Sequence, residues 1–229
     1  MRRTEHPSRL GRTLLAGPDR RPDAGDAALR LLDRSMLEAW SMRASPHLFP
    51  TALAGVFGRC LVPDESSLAD VVTGAVPLLD EMELDMSNAY AMAELAVKAE
   101  LDRTEMPKAE LATRSARRIA TMLSHERQEI WKQDSGLGQG VAKGEAVVHF
   151  ALYLMGMRGV ICFAEHRSGR SPLVLTEQWL GHEMDEADCR ELVRRYLHCY
   201  GPSTERYFAE WSGVGIERAT ALWRLAEGA

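Results

Sequence analysis

Cationic side chains at regular spacing are the residues of this sequence that most directly suggest a chemistry. In PKAELATRSARRIATML and the residues after it, Arg114, Arg117, Arg118, Thr121 and His125 fall at i, i+3, i+4, i+7 and i+11. On one continuous helix they share a face, and that face is basic. A second group, His166, Arg167 and Arg170, surrounds Gly169 in the turn-forming stretch HRSGRS. Guanidinium and imidazolium groups at a helix face and a hairpin tip suit phosphate oxygens, which position a protein on duplex DNA without reading its sequence. The alternative for both groups is an ordinary solvated surface.

The net charge of −5 runs against nucleic-acid binding, which needs clustered cations to displace counterions. Its distribution matters more than its sum. Residues 64–105 hold 11 acidic and 2 basic side chains, residues 1–43 hold 9 basic against 6 acidic, and residues 106–145 hold 7 against 5. The acid is concentrated in one stretch, leaving two others free to face phosphate.

Other chemistries find weaker footing. The loop QDSGLGQG (133–140) is glycine-rich but follows a helical segment and lacks the Gly-Lys-Ser/Thr ending of a phosphate loop, so it reads as a connector. His182, Cys189, His198 and Cys199 match no tetrahedral zinc spacing. There is no Gly-x-Ser-x-Gly elbow. Asp80, Glu81, Glu83 and Asp85 read as a solvated acidic turn, and Met82, Met86 and Met92 as core residues. No catalytic residue, metal site or cofactor is assigned on these grounds. The most apolar run, 146–163, is interrupted by His149, Gly156, Arg158 and Gly159, so no membrane span is expected. Nor does an apolar segment follow the N-terminal arginines, as a secretory signal would require. Four cysteines with no Cys-x-x-Cys pair fit a reduced, cytoplasmic protein with buried thiols, and a DNA-binding role would make it nucleoid-associated.

The elements that would position these groups are mainly helical with small β-hairpins, an α+β class. Residues 1–25 carry no sustained period and read as irregular. Ala28, Leu31, Leu32, Met36 and Leu37 fit an amphipathic helix from Asp26, leading into a hairpin at AWSMRASPHLFP (39–50). A helix is expected from Asp64 through Ser66 to Val76, ended near Pro77; another spans 87–101, and a third starts at Pro107. The apolar stretch 144–157 predicts a helix, followed at Gly159 by strands at 160–165 and 172–179. A helix leading directly into a hairpin is how a winged helix ends. Asp185 then caps a helix over 186–200, Ser203 or Thr204 caps one reaching Trp211, and a Gly213–Gly215 turn leads to a last helix over 216–226. The tight turn makes this a helix-turn-helix.

Several segments together resemble the winged-helix DNA-binding family that includes the AlkZ-type DNA glycosylases. Trp40, Met42, Arg43, His47 and Leu48 follow that family's Trp-x-Met-Arg-Gly signature with its trailing His-Leu, with Ala44 at the glycine position. GMRGVICFAE and LVLTEQWLG resemble its second unit, and Tyr200, Gly201, Pro202, Phe208, Trp211, Ser212 and Gly213 its third. The matches run over roughly residues 36–227. The resemblance implies a row of winged-helix units and divides the chain into an irregular segment 1–25, a shortened first unit 26–63, a second unit 64–183 with an acidic helical insert, and a third helix-turn-helix unit 184–229 without its wing. It also implies DNA as partner.

In the glycosylase branch a Gln-x-Gln or Gln-x-Asp pair upstream of the Met-Arg-Gly signature is implied to serve base excision. No glutamine precedes Gln128 here. The expected function is therefore DNA binding without chemistry, mainly at the backbone. Alternatives are removal of alkylated bases by other residues, with Arg43 and His47 in the site, and a protein-interaction module using the acidic stretch 64–105.

Overall fold

The computed structural model describes residues 33–62, 68–165, 171–184 and 186–227. Strand β1 (Met36–Trp40) turns through residues 42–44 into β2 (Pro46–Pro50), placing Leu37 opposite Phe49 and Ala39 opposite His47. The hairpin expected at 39–50 is thus present, but Met36 and Leu37 belong to it and not to a helix. All five residues of β1 are buried. A strand covered on both sides shows no alternation, so its apolar run mimics helical spacing. Residues 33–35 form a turn before β1, while the remainder of that expected helix and segment 1–25 lie outside the described residues.

Short helices follow: α1 (Ala54–Phe57), α2 (Leu68–Val71) and α3 (Val76–Asp80). Pro77 stands in the first turn of α3 and begins a helix where an end was expected. Proline lacks the N–H that a first turn leaves unpaired anyway. The expected helix start at Asp64–Ser66 lies outside the described residues.

Helix α4 (Met86–Leu101) is capped by Asp85, whose carboxylate accepts the Asn88 N–H at 2.8 Å. Small residues on its buried side, Ala89, Ala93, Ala96 and Val97, let α5 (Lys108–Ala120) pack closely through Leu111, Ala112, Ala116 and Ile119. Helix α6 (His125–Trp131) begins anew at its cap, Ser124. Helix α7 (Lys143–Arg158) is buried almost all round, which makes it the central helix, packed on α4, α5 and β1. The Trp131 indole donates to the Ala116 carbonyl at 3.0 Å and lies across Gly144, where a Cβ would be 2.1 Å from the ring. The loop 133–140 joins α6 to α7 as a connector, closed by Ser135 N–H on the Val141 carbonyl at 2.9 Å.

After Gly159, whose φ of +75° ends α7, come β3 (Ile161–Phe163) and β4 (Leu173–Leu175). The second strand is shorter than expected, because the chain enters α8 (Thr176–Leu180) at once. Pairing of Glu38 with Phe163 joins the two hairpins into one antiparallel sheet of order β2-β1-β3-β4. Met106 exchanges two backbone hydrogen bonds with Leu173 on β4, at 3.0 and 2.8 Å. Trp40 locks sheet to helix: its ring lies 4.6 Å from Phe163 and 5.2 Å from Tyr153, and a Cβ on Gly156 would stand 2.7 Å from it.

The C-terminal helices are α9 (Arg190–Tyr200), α10 (Glu205–Ser212) and α11 (Ile216–Glu227). Thr204 caps α10, and Gly213 at φ +78° ends it. Tyr196, Phe208 and Trp223 form the core of this unit, with ring centroids 5.2 to 6.4 Å apart. Helix α9 starts later than expected; Asp185 lies outside the described residues.

The cysteines correct the expectation of reduced buried thiols. Cys60, beyond α1, and Cys189, ahead of α9, form a disulfide with Cα atoms 5.3 Å apart and a sequence separation of 129. Arg218 of α11 adds a second tie, donating to the Cys60 carbonyl at 2.9 Å. Cys199 is free and exposed, whereas burial pushes the Cys162 thiol up to about 12. No helix among the described residues is long and apolar enough to cross a membrane.

Candidate nucleic-acid interface

The arginines predicted on one helical face are found together on α5. Leu111, Ala112, Ser115, Ala116 and Ile119 turn inward, which leaves Arg114, Arg117 and Arg118 exposed across about 100° of the helix. Arg114 pairs with Glu110 one turn earlier at 2.6 Å, and Arg118 with Glu100 of α4 at 2.7 Å. Thr121 and His125 do not extend the face. The Thr121 hydroxyl donates back to the Arg118 carbonyl at 2.7 Å, the chain turns, and His125 opens α6 in a new direction. His166, Arg167 and Arg170 lie outside the described residues.

Arg43 occupies a different setting. It and Ala44 are consecutive left-handed residues in the β1–β2 turn, at φ +54° and +51°. Each costs on the order of 1 kcal/mol in a residue with a side chain. The turn is held by Ala44 N–H on the Ser41 carbonyl and Ser45 N–H on the Met42 carbonyl, both at 3.1 Å, and by the Ser41 hydroxyl on the Phe57 carbonyl. Ala44 therefore stands where the resembled signature has glycine and where glycine would carry no strain.

The left-handed turn directs Arg43 onto the C-terminal helices. Its Nε donates to the Trp211 carbonyl at 3.2 Å, and its backbone packs on Gly213. Residues of the first and third resembled motifs thus meet in space. At this junction lies an open cleft of about 380 Å³ lined by Arg43, Tyr196, Tyr200, Tyr207, Glu210 and Trp211, with Pro202 and Ser203 at its edge. Tyr196 lies 5.5 Å from Tyr200 and 5.0 Å from Trp211, centroid to centroid. Residue typing on motifs alone passed over Tyr196 and Tyr207. The signal available was the i, i+4 spacing of Tyr196 with Tyr200 and of Tyr207 with Trp211, which puts each pair on one side of its helix.

His47 follows Arg43 in sequence but not into the cleft. It is buried on β2, with Nδ1 2.8 Å from the Ser45 carbonyl. Burial holds its pKa below the usual histidine value, the Ser45 hydrogen bond opposes that, and Arg43 lowers it further. Lys108 is a further cation not anticipated from sequence: its Nζ lies 4.3 Å from the Tyr153 ring centroid and 5.4 Å from that of Trp40. Cys189 is committed to its disulfide, and no group of three or more His, Cys, Asp or Glu side chains converges among the described residues.

Fold and site together define a mainly helical α+β protein with a small antiparallel sheet, an exposed arginine helix and an arginine-and-aromatic cleft. A model of the AlkZ-like DNA glycosylase family matches residues 16–229, and the chain belongs to that family. The solved structure of Streptomyces sahachiroi DNA glycosylase AlkZ shares the fold, with a TM-score of 0.60 at 19% identity over 88% of this chain and 50% of that one. The chain spans about half the length of that neighbour. No curated protein matches it.

Proposed function

We propose that this chain binds duplex DNA, mainly through the phosphate backbone, using helical units of winged-helix type, and that it acts at the nucleoid. The observation that carries this reading is the exposed arginine side of α5. Arg117 has no ion-pair partner among the described residues, Arg114 pairs with the half-exposed Glu110, and Arg118, itself half-exposed, pairs with the largely buried Glu100. An exposed pair such as Arg114–Glu110 is worth about 0–1 kcal/mol, so a phosphate exchanges for that carboxylate at little cost. Phosphate contacts of this kind orient a protein without reading bases. Helix α7 is too apolar to do the reading. The β3–β4 connection, with His166, Arg167 and Arg170, supplies the wing contact in this proposal.

A duplex of mixed sequence titrated in a gel-shift series at rising salt tests it. The affinity should fall linearly with log salt, and Arg117→Ala should weaken binding to all sequences alike and reduce the slope by about 1. Arg167→Ala with Arg170→Ala should act in the same uniform way. Binding that is absent at low salt, or unaffected by salt, rejects the reading.

Membership of the AlkZ-like DNA glycosylase family supports a second reading, in which the protein also removes alkylated bases by hydrolysing their N-glycosidic bonds. In that reading Arg43 and His47 lie in the site, and of the two Arg43 is the exposed one. Incubation with alkylated DNA and assay of released base decides it; release no faster than without protein removes this reading and leaves DNA binding standing.

A further inference from the structure

We infer that the cleft between Arg43 and the α9–α10 corner holds an unpaired nucleobase of a DNA strand, stacked on its tyrosines, with the adjoining phosphate on Arg43. The inference rests on the chain being a DNA-binding protein, but it concerns a contact that an intact duplex does not offer.

Large aromatic rings are normally spent on the core, yet Tyr200 is 53% and Tyr207 61% exposed, and both line this cleft. The buried Tyr196 packs against Tyr200, 5.5 Å between centroids, with its hydroxyl 2.5 Å from that of Ser203. Trp211 packs against both Tyr196 and Tyr200. Exposed rings beside packed aromatic neighbours can serve as a stacking platform, and every base has a π-face to lay on one. A volume of about 380 Å³ falls within the roughly 300–1,000 Å³ of small-molecule sites and accommodates a nucleotide.

The charge arrangement favours a nucleotide over a neutral aromatic ligand or a sugar. Arg43 is anchored through Nε to the Trp211 carbonyl, and its two Nη groups make no hydrogen bond among the described residues. They form a fork of the kind that clasps phosphate. Glu210, the acidic residue on the wall, is compensated by Arg206 at 3.3 Å. Arg43 also holds its left-handed backbone only because the surrounding contacts impose it, a state that clusters at ligand sites. In a duplex both faces of each base are covered by neighbours, so only a gap, a strand end or an extruded nucleotide can reach the rings.

The test compares the whole chain bound to an intact duplex, to the same duplex with a short thymine gap, and to an oligothymidylate. Gapped DNA should bind at least about tenfold more tightly than intact duplex. Tyr200→Ala with Tyr207→Ala, each more than half exposed, should abolish that preference and leave intact-duplex affinity unchanged. The Tyr→Phe pair should retain it, because stacking uses the ring and not the hydroxyl. Failure of the duplex arm alone counts against backbone binding, while oligothymidylate binding lost in the Ala pair still supports the cleft. Gap preference absent from the wild type, or kept by the Ala pair, overturns the inference.

Discussion

Gly213 closes against Arg43: a Cβ built on the glycine would stand 2.7 Å from Arg43 Cγ and 3.0 Å from its Cα and N. Gly213 also ends α10 at φ +78°, so one position serves a helix stop and a tertiary contact.

Gly213→Ala is expected to destabilise by about 2 kcal/mol or more, combining left-handed strain with overpacking. Gly181→Ala separates the two contributions. Gly181 ends α8 at φ +80°, and an added methyl there would meet nothing within 4 Å, so only the strain applies. Urea denaturation of both variants checks this. Equal losses would mean that the Arg43 contact carries no weight.

Ala44→Gly should raise stability by about 0.5–1 kcal/mol. The relief of left-handed strain at φ +51° exceeds the extra freedom that glycine gives the unfolded chain. Thermal unfolding reads the result, and a lower Tm would contradict the strained turn.

Stability should decline in mild acid. His47 and His149 are both held below the ordinary value of 6.5, chiefly by burial, with Arg43 and Lys108 respectively adding to the lowering. The unfolded chain then binds more protons than the native one as pH falls below 6.5. The contribution is present above 6.5 and is lost on the way down through the depressed native values. Tm should therefore fall between about pH 7.5 and pH 5.5, and a His47→Asn, His149→Asn variant should show a flatter profile. A wild-type Tm unchanged across that window would refute the assignment.

Thiol labelling should distinguish the four cysteines. In the native oxidised protein a polar maleimide should modify Cys199 alone, since Cys162 is buried and Cys60 and Cys189 are joined. Reduction should expose that pair and lower stability by about 2–4 kcal/mol, because the bond closes a long loop. Labelling at Cys162 before unfolding would contradict its burial.

Helix identity was legible wherever one face was apolar and the caps were local. Thr204 accepts the N–H three residues on, and Gly159 and Gly213 end their helices in left-handed backbone. Leu111 to Ile119 shows the period of a half-buried helix, which is why the arginine face of α5 could be placed from spacing alone. The family likeness was legible as well, in Trp40, Met42, Arg43 and in the Tyr200 to Gly213 segment. Strand β1 was not, because burial on both sides erases alternation, and the break at Thr121–Ser124 was missed because a basic period ran through it.

The sequence by itself determined the local elements, the uneven charge and the motif residues, all of which depend on neighbours a few positions apart. Only the tertiary structure decided which of those residues meet. It joined two hairpins through Glu38 and Phe163, paired Cys60 with Cys189, committed Arg114 and Arg118 to carboxylates, and brought Arg43 onto Trp211 across 168 positions to shape an aromatic cleft. Such contacts arise from the packing of whole elements around α7, and no local pattern of residue types encodes them.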